Sequence, residues 1–307
     1  MKCLVGMSGG VDSSTTAALM KKKYSEVIGC TFCMVDSKNT EDAIASAQKV
    51  ASDLKIEHVV IDCRADFKKH VMDDFANSYK NGSTPNPCVL CNKFVKFRFL
   101  EEAAKKYDAD VLATGHYARI IKFENGRAEL HQAKYLPKDQ SYFLYKLSEE
   151  LLRKTEFPLG DFQKSEVREM AASFGLHVAQ KSESQDICFI PSGDYVAFIK
   201  NYIGDDFSKS GEIIDENGHV LGLHDGTINY TIGQRKGLHL SGGPFFVKVV
   251  QPELNRIVVT DKNGVKSNRI DLEDVNFINE EFLGDCEVKI RSANKKFAAS
   301  VMKDNEK

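Results

Sequence analysis

The sequence predicts an α/β fold in which helices cover a parallel β-sheet, followed by a smaller β-rich, barrel-like region. Through the first half of the chain, short apolar runs alternate with segments of helical composition, which is typical of a parallel sheet with crossover helices. A glycine-rich turn joins the first apolar run to the first helical segment. After residue 211 the chain changes to short strands and turns. These three observations define the expected fold class.

The order of the elements follows from the same patterns. Apolar runs predict strands at residues 2–7, 26–35, 57–62 and 110–114, and the segments between them predict helices at residues 13–23, 40–54, 67–79 and 93–107. Asn125 and Gly126 lie between two further apolar runs and predict a β-hairpin. Residues 164–174 predict a helix that Gly175 closes as its C-cap.

The composition narrows the class of protein. The chain has 307 residues, of which 42 are Lys or Arg and 44 are Asp or Glu, so its formal net charge is −2. A hydrophobic share of 42% and a charged share of 28% are ordinary for a globular protein and exclude a chain that is disordered, collagen-like or coiled-coil throughout. This length predicts two or three domains. The balanced charge argues against indiscriminate nucleic-acid binding but allows a local basic surface.

The sequence also predicts the compartment. No apolar run approaches the roughly 18 residues that a membrane helix needs, and residues 1–7 are too short for a signal peptide. We therefore expect a cytoplasmic protein without a membrane partner. In a reducing compartment its eight cysteines predict buried thiols, metal ligands or catalytic thiols rather than a disulfide scaffold.

The strongest local signal is the turn at residues 8–14, Ser-Gly-Gly-Val-Asp-Ser-Ser, between a predicted strand and a predicted helix. Glycines let the backbone approach an anion, and the amides at the start of the helix favour a phosphate. Serine hydroxyls add donors, and Asp12 can orient the loop or hold Mg²⁺. This sequence matches neither the Walker motif of P-loop proteins nor the glycine-rich motif of dinucleotide-binding folds. An ordinary glycine-rich turn has the same composition, so these residues alone leave both interpretations open.

Two Cys-x-x-Cys pairs occur, Cys30 with Cys33 and Cys88 with Cys91. Structural zinc sites usually separate two such pairs by about 15–20 residues, and these two lie much farther apart. Because Cys30 and Cys33 fall in a predicted buried strand, we expect them to be small buried hydrophobic residues. We expect the same of three scattered cysteines, Cys3, Cys63 and Cys286.

Cys88 and Cys91 differ from the other cysteines because they follow an irregular loop. Residues 81–87 contain a glycine and two prolines, and irregular loops in α/β domains are often functional. Cys88 and Cys91 lead from this loop into a helix with Lys93 and Lys96 close by, a setting that predicts reactive thiols. Cys188, at the end of a polar stretch, is in isolation an ordinary strand thiol.

Six short motifs together make the sequence specific. They are Ser-Gly-Gly-Val-Asp-Ser at residues 8–13, Thr-Pro-Asn-Pro-Cys-Val-Leu-Cys-Asn at 84–92, Ala-Thr-Gly-His-Tyr-Ala-Arg at 113–119, Lys-Asp-Gln-Ser-Tyr-Phe at 138–143, Ser-Gln-Asp-Ile-Cys-Phe-Ile at 184–190 and Tyr-Thr-Ile-Gly-Gln-Arg-Lys-Gly-Leu at 230–238. The first resembles the pyrophosphate (PP) loop of the ATP-pyrophosphatases. In this order and spacing, the whole set resembles the tRNA-specific 2-thiouridylase family over about residues 1–250.

This resemblance implies three domains. Residues 1–160 would form a PP-loop, adenine nucleotide α-hydrolase-like ATP-binding domain, to which the segment around Cys188 would return. Residues 161–240 would form a small α+β linker domain that binds tRNA. Residues 241–307 would form a shortened, β-barrel-like C-terminal domain.

The resemblance also implies the reaction, tRNA 2-thiouridylation by a sulfurtransferase. ATP with Mg²⁺ would adenylate O2 of the wobble uridine of tRNA, and sulfur would replace that oxygen. Cys188 would carry a persulfide received from a sulfur donor, either a cysteine desulfurase or a sulfur-relay protein. Cys91 would be the nucleophile that frees the sulfur, leaving a Cys91–Cys188 disulfide to be reduced. The positions implied to bind ATP are Gly6, Met7, Ser8, Gly9, Gly10, Val11, Asp12, Ser13, Met34 and Gly115.

Further positions match tRNA-contacting segments of the family. Asn86, Pro87 and Cys88 would touch the target base. The implied tRNA contacts are His116, Lys138, Asp139 and Gln140. For any single basic residue an ordinary surface charge is the favoured interpretation, but together some of them suit phosphate contacts. These residues are Lys21, Lys22, Lys23, Lys93, Lys96, Arg98, Lys146, Arg235 and Lys236.

The sequence departs from the family at two places and leaves alternatives open. Cys88 stands where many members have an aspartate, so Cys88, Cys91 and Cys188 are also candidate ligands of a 4Fe-4S cluster for thiolation of the same or another RNA. The C-terminal part is short, and Ser292 follows Arg291 where the family has an aromatic residue. Different classes of function that share only some of these features are a PP-loop ligase or amidotransferase acting on a small metabolite, and a non-catalytic RNA-binding protein.

Overall fold

The computed structural model describes residues 1–181, 187–204, 208–293 and 295–303. These residues divide into two compact units. The first comprises the described residues within Met1–His70, Cys88–Glu183 and Asp274–Lys307. The second comprises those within Val71–Pro87 and Ser184–Glu273. In the described ranges, no helix is both long and apolar enough to cross a membrane.

The strands are numbered in chain order. They are β1 (Lys2–Gly6), β2 (Glu26–Cys33), β3 (Glu57–Asp62), β4 (Val111–Thr114), β5 (Ala118–Lys122), β6 (Ala128–Gln132), β7 (Thr155–Glu156), β8 (Gly211–Ile214), β9 (Val220–His224), β10 (Phe246–Gln251), β11 (Arg256–Thr260), β12 (Gly284–Val288) and β13 (Phe297–Val301).

The α-helices are numbered in the same way. They are α1 (Val11–Lys23), α2 (Lys38–Leu54), α3 (Arg64–Phe67), α4 (Asp73–Lys80), α5 (Pro87–Cys91), α6 (Phe97–Lys106), α7 (Glu149–Lys154), α8 (Lys164–Ser173) and α9 (Tyr195–Ile203). Two π-helical turns occupy Lys68–Met72 and Asn92–Lys96. Short 3₁₀ turns occupy Leu136–Lys138, Ser141–Phe143, Thr227–Asn229 and Pro252–Leu254.

The first unit is built on a parallel sheet with the strand order β3-β2-β1-β4-β7. The alternation of strands and helices in the sequence therefore predicted the correct fold class. The central strand β1 alternates sides: Cys3 and Val5 face the core that contains α1 and α2, and Leu4 faces the core that contains α6 and α7. Apolar residues on both faces are what a buried parallel strand requires. The predicted hairpin is also present, as antiparallel β5 and β6.

The helix predicted at residues 93–107 begins earlier than expected. Pro87 is the first residue of α5, a position that suits proline because its missing N–H has no helical partner there. The π-helical turn and α6 follow directly. Cys88 and Cys91, which we expected between the loop and the start of the helix, therefore lie within a helical turn.

The C-terminal strands β12 and β13 form an antiparallel pair within the first unit. Polar contacts tie the segment around them to the loop that precedes α7. Asn276 Nδ2 donates to the carbonyl oxygens of Tyr145 and Leu147 at 2.7 and 3.0 Å. Tyr142 Oη donates to the carbonyl oxygen of Ile290 at 3.0 Å.

The second unit contains the predicted β-rich region. Its sheet has the order β10-β11-β8-β9, with β8 and β11 parallel and the other pairs antiparallel. This sheet joins strands from both sides of residue 240, where we expected a domain boundary. Its core contains Ile213, Val247, Ile257 and Val259.

An aromatic cluster forms a further part of the second unit. The Phe189 ring packs edge-on against Phe75 and Phe198, with centroids 5.4 and 5.1 Å apart. Tyr79 stacks on Tyr195 at 4.9 Å. The cluster joins α4 and α9 to the segment that carries Cys188.

We predict that Leu152→Ala lowers the free energy of unfolding by about 2–5 kcal/mol, because it leaves a cavity in a close-packed core. Leu152, in α7, is fully buried. Leu254→Ala is the matched control: its side chain is 62% exposed, and we expect a change within about 0.5 kcal/mol. Urea unfolding followed by circular dichroism measures both. Equal losses in the two variants would contradict the prediction.

Candidate phosphate-loop and cysteine site

The candidate site lies at the carboxyl ends of the central parallel strands. Gly6, the last residue of β1, pairs with Cys30 on one side and with Thr114 on the other. The loops after β1 and β4 therefore start side by side. Because the strand order reverses direction between β1 and β4, this edge is the place where open α/β sheets usually bind ligands.

The loop after β1 is closed by serines at its two ends. Ser13 Oγ accepts a hydrogen bond from the Ser8 amide at 3.0 Å and lies 3.2 Å from Ser8 Oγ. Gly10 is the N-cap residue of α1, so the first amides of a 13-residue helix begin at this loop. Those amides and the helix dipole favour an anion such as a phosphate.

Two glycines allow the loop its close contacts. Gly9 has φ +67°, and a Cβ there would lie 2.3 Å from the carbonyl oxygen of Ala43. A Cβ on Gly115, after β4, would lie 2.9 Å from the backbone of Asp12 and Ser13. Both positions therefore exclude larger residues, which explains why glycine is needed at each.

The side chains of the loop are largely turned inward. Met7, Val11 and Ser13 are buried. Ser14, which we expected to supply a hydroxyl donor, is fully buried in α1. Backbone amides and the exposed Ser8 are thus the groups that the loop offers to a ligand.

Asp12 is held by two residues that are distant in sequence. The Lys164 ammonium group lies 2.7 and 2.8 Å from the two carboxylate oxygens of Asp12. Tyr117 Oη donates to the same carboxylate at 2.8 Å. Lys181 Nζ donates to the carbonyl oxygen of Gly9 at 3.0 Å. Sequence reasoning missed Lys164 and Lys181, because no local pattern links them to a loop more than a hundred residues away.

Cys91 lies beside a predicted ATP-binding residue. Its Sγ is 3.8 Å from Sδ of Met34, which follows β2. Cys91 is 4% exposed, whereas Cys88, one turn earlier, is exposed. The buried Asn92 donates from Nδ2 to the carbonyl oxygen of Phe143 at 2.9 Å, and its Oδ1 has no hydrogen-bond partner among the described residues. A π-helical turn directly after Cys91 is a feature frequent at functional sites.

His116, a predicted tRNA contact, is packed between aromatic rings. It stacks on Phe97 at a centroid distance of 5.9 Å and meets Phe157 edge-on at 5.8 Å. Its Nδ1 lies 2.8 Å from Thr114 Oγ1. Burial, with a smaller effect of the nearby Lys96 charge, lowers the pKa of His116 to about 3. The imidazole is therefore neutral at physiological pH.

The predicted tRNA-contacting segment at residues 138–140 is folded by its aspartate. The Asp139 carboxylate is fully buried and accepts hydrogen bonds from the amides of Ala133 and Ser141. Lys289 pairs with it at 3.2 Å. Burial alone would raise the pKa of Asp139, but these hydrogen bonds hold that pKa below its usual value. Asp139 thus shapes the segment, while Lys138 is half-exposed.

Gln140 ties the same segment to the residue after His116. The backbone amide of Gln140 donates to the carbonyl oxygen of Tyr117 at 2.7 Å. Its side-chain Oε1 accepts from the backbone amide of Tyr117 at 2.9 Å. The segments at residues 115–117 and 138–140 are therefore fixed to each other. Tyr117 also reaches Asp12, so this contact links both segments to the phosphate loop.

The second unit carries Cys188, Asn86 and Pro87. Cys188 is exposed, and the buried Phe189 beside it anchors the segment in the aromatic cluster. Residues 184–186 of the motif around Cys188 lie outside the described residues. Asn86 is half-buried and Pro87 is buried. The loop predicted before these two residues is irregular from Asn81 to Asn86.

The remaining cysteines fit the predicted structural role in part. Cys3, Cys30 and Cys63 are buried, and burial raises the pKa values of Cys3 and Cys30 to about 12. Cys33 and Cys286 are half-exposed, so the expectation that they are buried was wrong. Cys33 is the last residue of β2, and Cys286 lies within β12.

The part of the chain that the structure describes contains no set of side chains suited to a resident metal centre. There, no three His, Cys, Asp or Glu side chains are placed together to hold a metal ion. The 4Fe-4S cluster with Cys88, Cys91 and Cys188 as ligands stays a prediction, because these cysteines are divided between the two units.

Several of the predicted phosphate-contacting residues have acidic partners. Lys23 pairs with Glu156, Arg98 with Asp66 and Lys146 with Asp274. Arg235 and Lys236 are exposed on a loop of the second unit, which Gln234 shapes by accepting from the Thr231 amide at 3.0 Å. These two are the clearer candidates for contact with a polyanion.

The parallel sheet and the glycine loop at its carboxyl edge define a nucleotide-binding α/β protein. In agreement, residues 1–192 match the family model described as the tRNA methyl transferase HUP domain. Residues 196–261 match the one described as the tRNA methyl transferase PRC-barrel domain.

Curated relatives match the chain over nearly its whole length. The tRNA-specific 2-thiouridylase MnmA of Rickettsia typhi is 45% identical, with 98% of this chain and 87% of the relative covered. The proteins of the same name from Pelobacter propionicus and Lachnoclostridium phytofermentans are 43% and 42% identical, with 95% and 94% of this chain covered and 84% and 85% of the relatives. The chain belongs to the tRNA-specific 2-thiouridylase family. This confirms the predicted function, tRNA 2-thiouridylation, and the enzyme class, a sulfurtransferase.

The two kinds of match differ in the reaction that they name. The family models mention methyl transfer, whereas the relatives are named for thiolation. Sequence identity above 40% over nearly the full chain is stronger evidence about function than the description of a family model. We therefore assign thiolation and not methyl transfer. Among solved structures, the U34-tRNA thiolase NcsA from Methanococcus maripaludis with its 4Fe-4S cluster is 20% identical, covers 67% of each chain and has a TM-score of 0.41. At that TM-score no property of that protein is carried over.

We predict that His116→Gln weakens the loss of stability in acid. The pKa of His116 is about 3 in the folded protein and 6.5 in an ordinary setting, so the unfolded chain binds this proton first as the pH falls. The free energy of unfolding of the wild type should therefore fall between about pH 6.5 and 3, and that of the Gln variant should fall less. Melting temperatures from pH 7 to pH 4 measure this, and parallel curves would contradict it.

Proposed function

We propose that this sulfurtransferase uses ATP at the loop Gly6–Ser13 to adenylate O2 of the wobble uridine of tRNA, and that Cys91 and Cys188 then exchange the oxygen for sulfur. The observation that carries the proposal is the 3.8 Å approach of Cys91 Sγ to Met34 Sδ at the edge of the sheet that bears the phosphate loop. A thiol and a nucleotide site that share one edge can act on the same base.

In this proposal the ATP phosphates bind the backbone amides from Gly9 to Ser13 and the Ser8 hydroxyl. The adenosine binds near Met34 and Gly115. Mg²⁺ would accompany the ATP as the counter-ion of its phosphates. Asp12 is the carboxylate of the loop that would hold this ion. This fits the preference of Mg²⁺ for phosphate oxygens, water and one or two carboxylates.

The adenylation step activates an oxygen that is otherwise a poor leaving group. Uracil O2 forms a bond to the α-phosphorus of ATP, and the bond from that phosphorus to the bridging oxygen of the β-phosphate breaks. The electron pair leaves with pyrophosphate. The uracil C2 then carries an oxygen that can depart as AMP. Donors fixed at a helix N-terminus stabilise the charge that develops on the phosphates.

Sulfur transfer follows through the two cysteines. The terminal sulfur of a persulfide on Cys188 attacks C2, and AMP leaves with the former O2. The Cys91 thiolate attacks Sγ of Cys188, so the persulfide S–S bond breaks and its outer sulfur stays on C2 as the thiocarbonyl. The products are 2-thiouridine and a Cys91–Cys188 disulfide. A dithiol reductant then reduces this disulfide to two thiols and is itself oxidised to a disulfide.

The burial of Cys91 bears on how the base reaches it. A uridine stacked in a tRNA loop cannot reach a thiol that is 4% exposed, so we propose that the base is flipped out of its stack into a pocket. Asn86, Pro87 and Cys88 contact the base there, and His116, Lys138, Asp139 and Gln140 support or contact the tRNA. A neutral His116 can serve as a hydrogen-bonding group but not as a cation.

The persulfide comes from a separate donor. We propose a cysteine desulfurase or a sulfur-relay protein in this role, because a protein persulfide delivers sulfur without free sulfide. We propose that the reaction takes place in the cytoplasm.

We predict that Cys91→Ser and Cys188→Ser each abolish 2-thiouridine formation while ATP binding stays intact. A serine hydroxyl can neither carry a persulfide nor resolve one, whereas the phosphate loop does not use these thiols. The assay incubates unmodified tRNA with the protein, Mg-ATP, a cysteine desulfurase and cysteine, and detects 2-thiouridine by nucleoside mass spectrometry.

Cys286→Ser, a half-exposed thiol in β12, is the matched control and should thiolate normally. Thiolation that persists in Cys91→Ser would contradict the nucleophile assignment. Thiolation that persists without ATP would contradict the adenylation step.

A further inference from the structure

The phosphate loop supplies no positive side chain of its own. Residues 6–14 contain glycines, serines, Met7, Val11 and Asp12, and neither Lys nor Arg. The only formal charge of the loop is the Asp12 carboxylate, which repels a triphosphate. Backbone amides offset part of this repulsion, but the pyrophosphate that leaves during adenylation gains further negative charge. Such sites commonly add cationic side chains for this purpose.

Two lysines from one segment contact the two ends of this loop. Lys164 pairs with both oxygens of Asp12 at the helix end, and Lys181 donates to Gly9 at the glycine end. We propose that Lys164 and Lys181 are the cationic residues of the ATP site: Lys164 offsets the Asp12 charge beside the phosphates, and Lys181 neutralises the β- and γ-phosphates and the departing pyrophosphate. The inference rests on the proposed use of ATP at this loop.

Lys164 is fixed in place by the fold. Its side chain is only 12% exposed, and its ammonium group lies 5.9 Å from the centre of the Tyr117 ring. It is the first residue of α8, whose start is held by a capping box between Gln163 and Glu166. Burial of a lysine with so little exposure is costly without an acidic partner, so the pairing with Asp12 offsets that cost and directs the side chain to the loop.

Lys181 is positioned by the chain that follows α8. Val178 and Ala179 are buried in the core beside α1, and Arg168 donates to the carbonyl oxygen of Ala179 at 2.9 Å. The Gly9 carbonyl oxygen that receives Lys181 also accepts from Ser46 Oγ at 3.0 Å. The exposed Lys181 is therefore held at the glycine end of the loop by a segment that is itself anchored.

The two lysines act differently in this scheme. Lys164 offsets the charge of Asp12 and so permits a polyanion next to that carboxylate, which makes it a positioning residue. Lys181 is exposed beside Gly9, so a ligand phosphate can attract the ammonium group at the end of its flexible side chain. Loss of either should weaken ATP binding without affecting the contacts to tRNA.

Isothermal titration of Mg-ATP into Lys164→Met, Lys181→Met and Lys164→Arg tests the proposal. We expect each Met variant to bind ATP about 10- to 100-fold more weakly, the usual effect of losing a charged hydrogen-bond partner. Lys164→Arg should recover most of the affinity, because the charge is kept. In the thiolation assay, KM for ATP should rise in the Met variants and KM for tRNA should not. Lys154→Met, an exposed lysine paired with Glu150, is the matched control.

The outcomes distinguish a failure of the proposed function from a failure of the lysine assignment. A wild-type protein that fails to bind Mg-ATP contradicts the proposed function itself. A wild type that binds ATP, with Lys164→Met and Lys181→Met indistinguishable from Lys154→Met, overturns the lysine assignment and leaves the function standing. Equal losses of ATP and tRNA affinity also overturn it, since they indicate general damage. If Lys164→Met does not fold, Lys181→Met and Lys164→Arg decide the result.

Discussion

The parallel pairing of β1 with β2 and β4 is the constraint on which the rest of the first unit depends. Because Gly6 is paired on both sides, the chain leaves the sheet at the same edge after three neighbouring strands. The phosphate loop, Met34 and Gly115 all follow from that geometry. A shift of one residue in either pairing would exchange the faces of β1 and move every one of these groups.

Charge balance at Asp12 is the second constraint, and it joins distant parts of the chain. Lys164 and Tyr117 both bind this carboxylate, and Gln140 binds the backbone of Tyr117. The phosphate loop and the segment at residues 138–140 are thus parts of one hydrogen-bonded network. Nucleotide binding and the shape of the predicted tRNA-contacting segment therefore share residues.

The sequence was sufficient where periodicity and turn chemistry decide the structure. The strand predicted at residues 57–62 has those bounds, and the hairpin around Asn125 and Gly126 is present. Side-chain pairings across the fold had no local signal: nothing near Asp12 indicates Lys164. The start of the helix at Pro87 was missed because two prolines suggested a longer loop. Family resemblance named Cys91 and Met34 as site residues, but only the fold shows their sulfurs in contact.

The π-helical turn Asn92–Lys96 determines the direction in which the Cys91 side chain points. A π turn holds one residue more than an α turn, and each residue of an α-helix rotates the chain by about 100°. Removing a single residue from this turn would restore a regular helix and rotate everything before it about the helix axis. Cys91 would then swing away from Met34 with its own identity unchanged. The direction of this thiol therefore depends on the number of residues in the helix as much as on the cysteine itself.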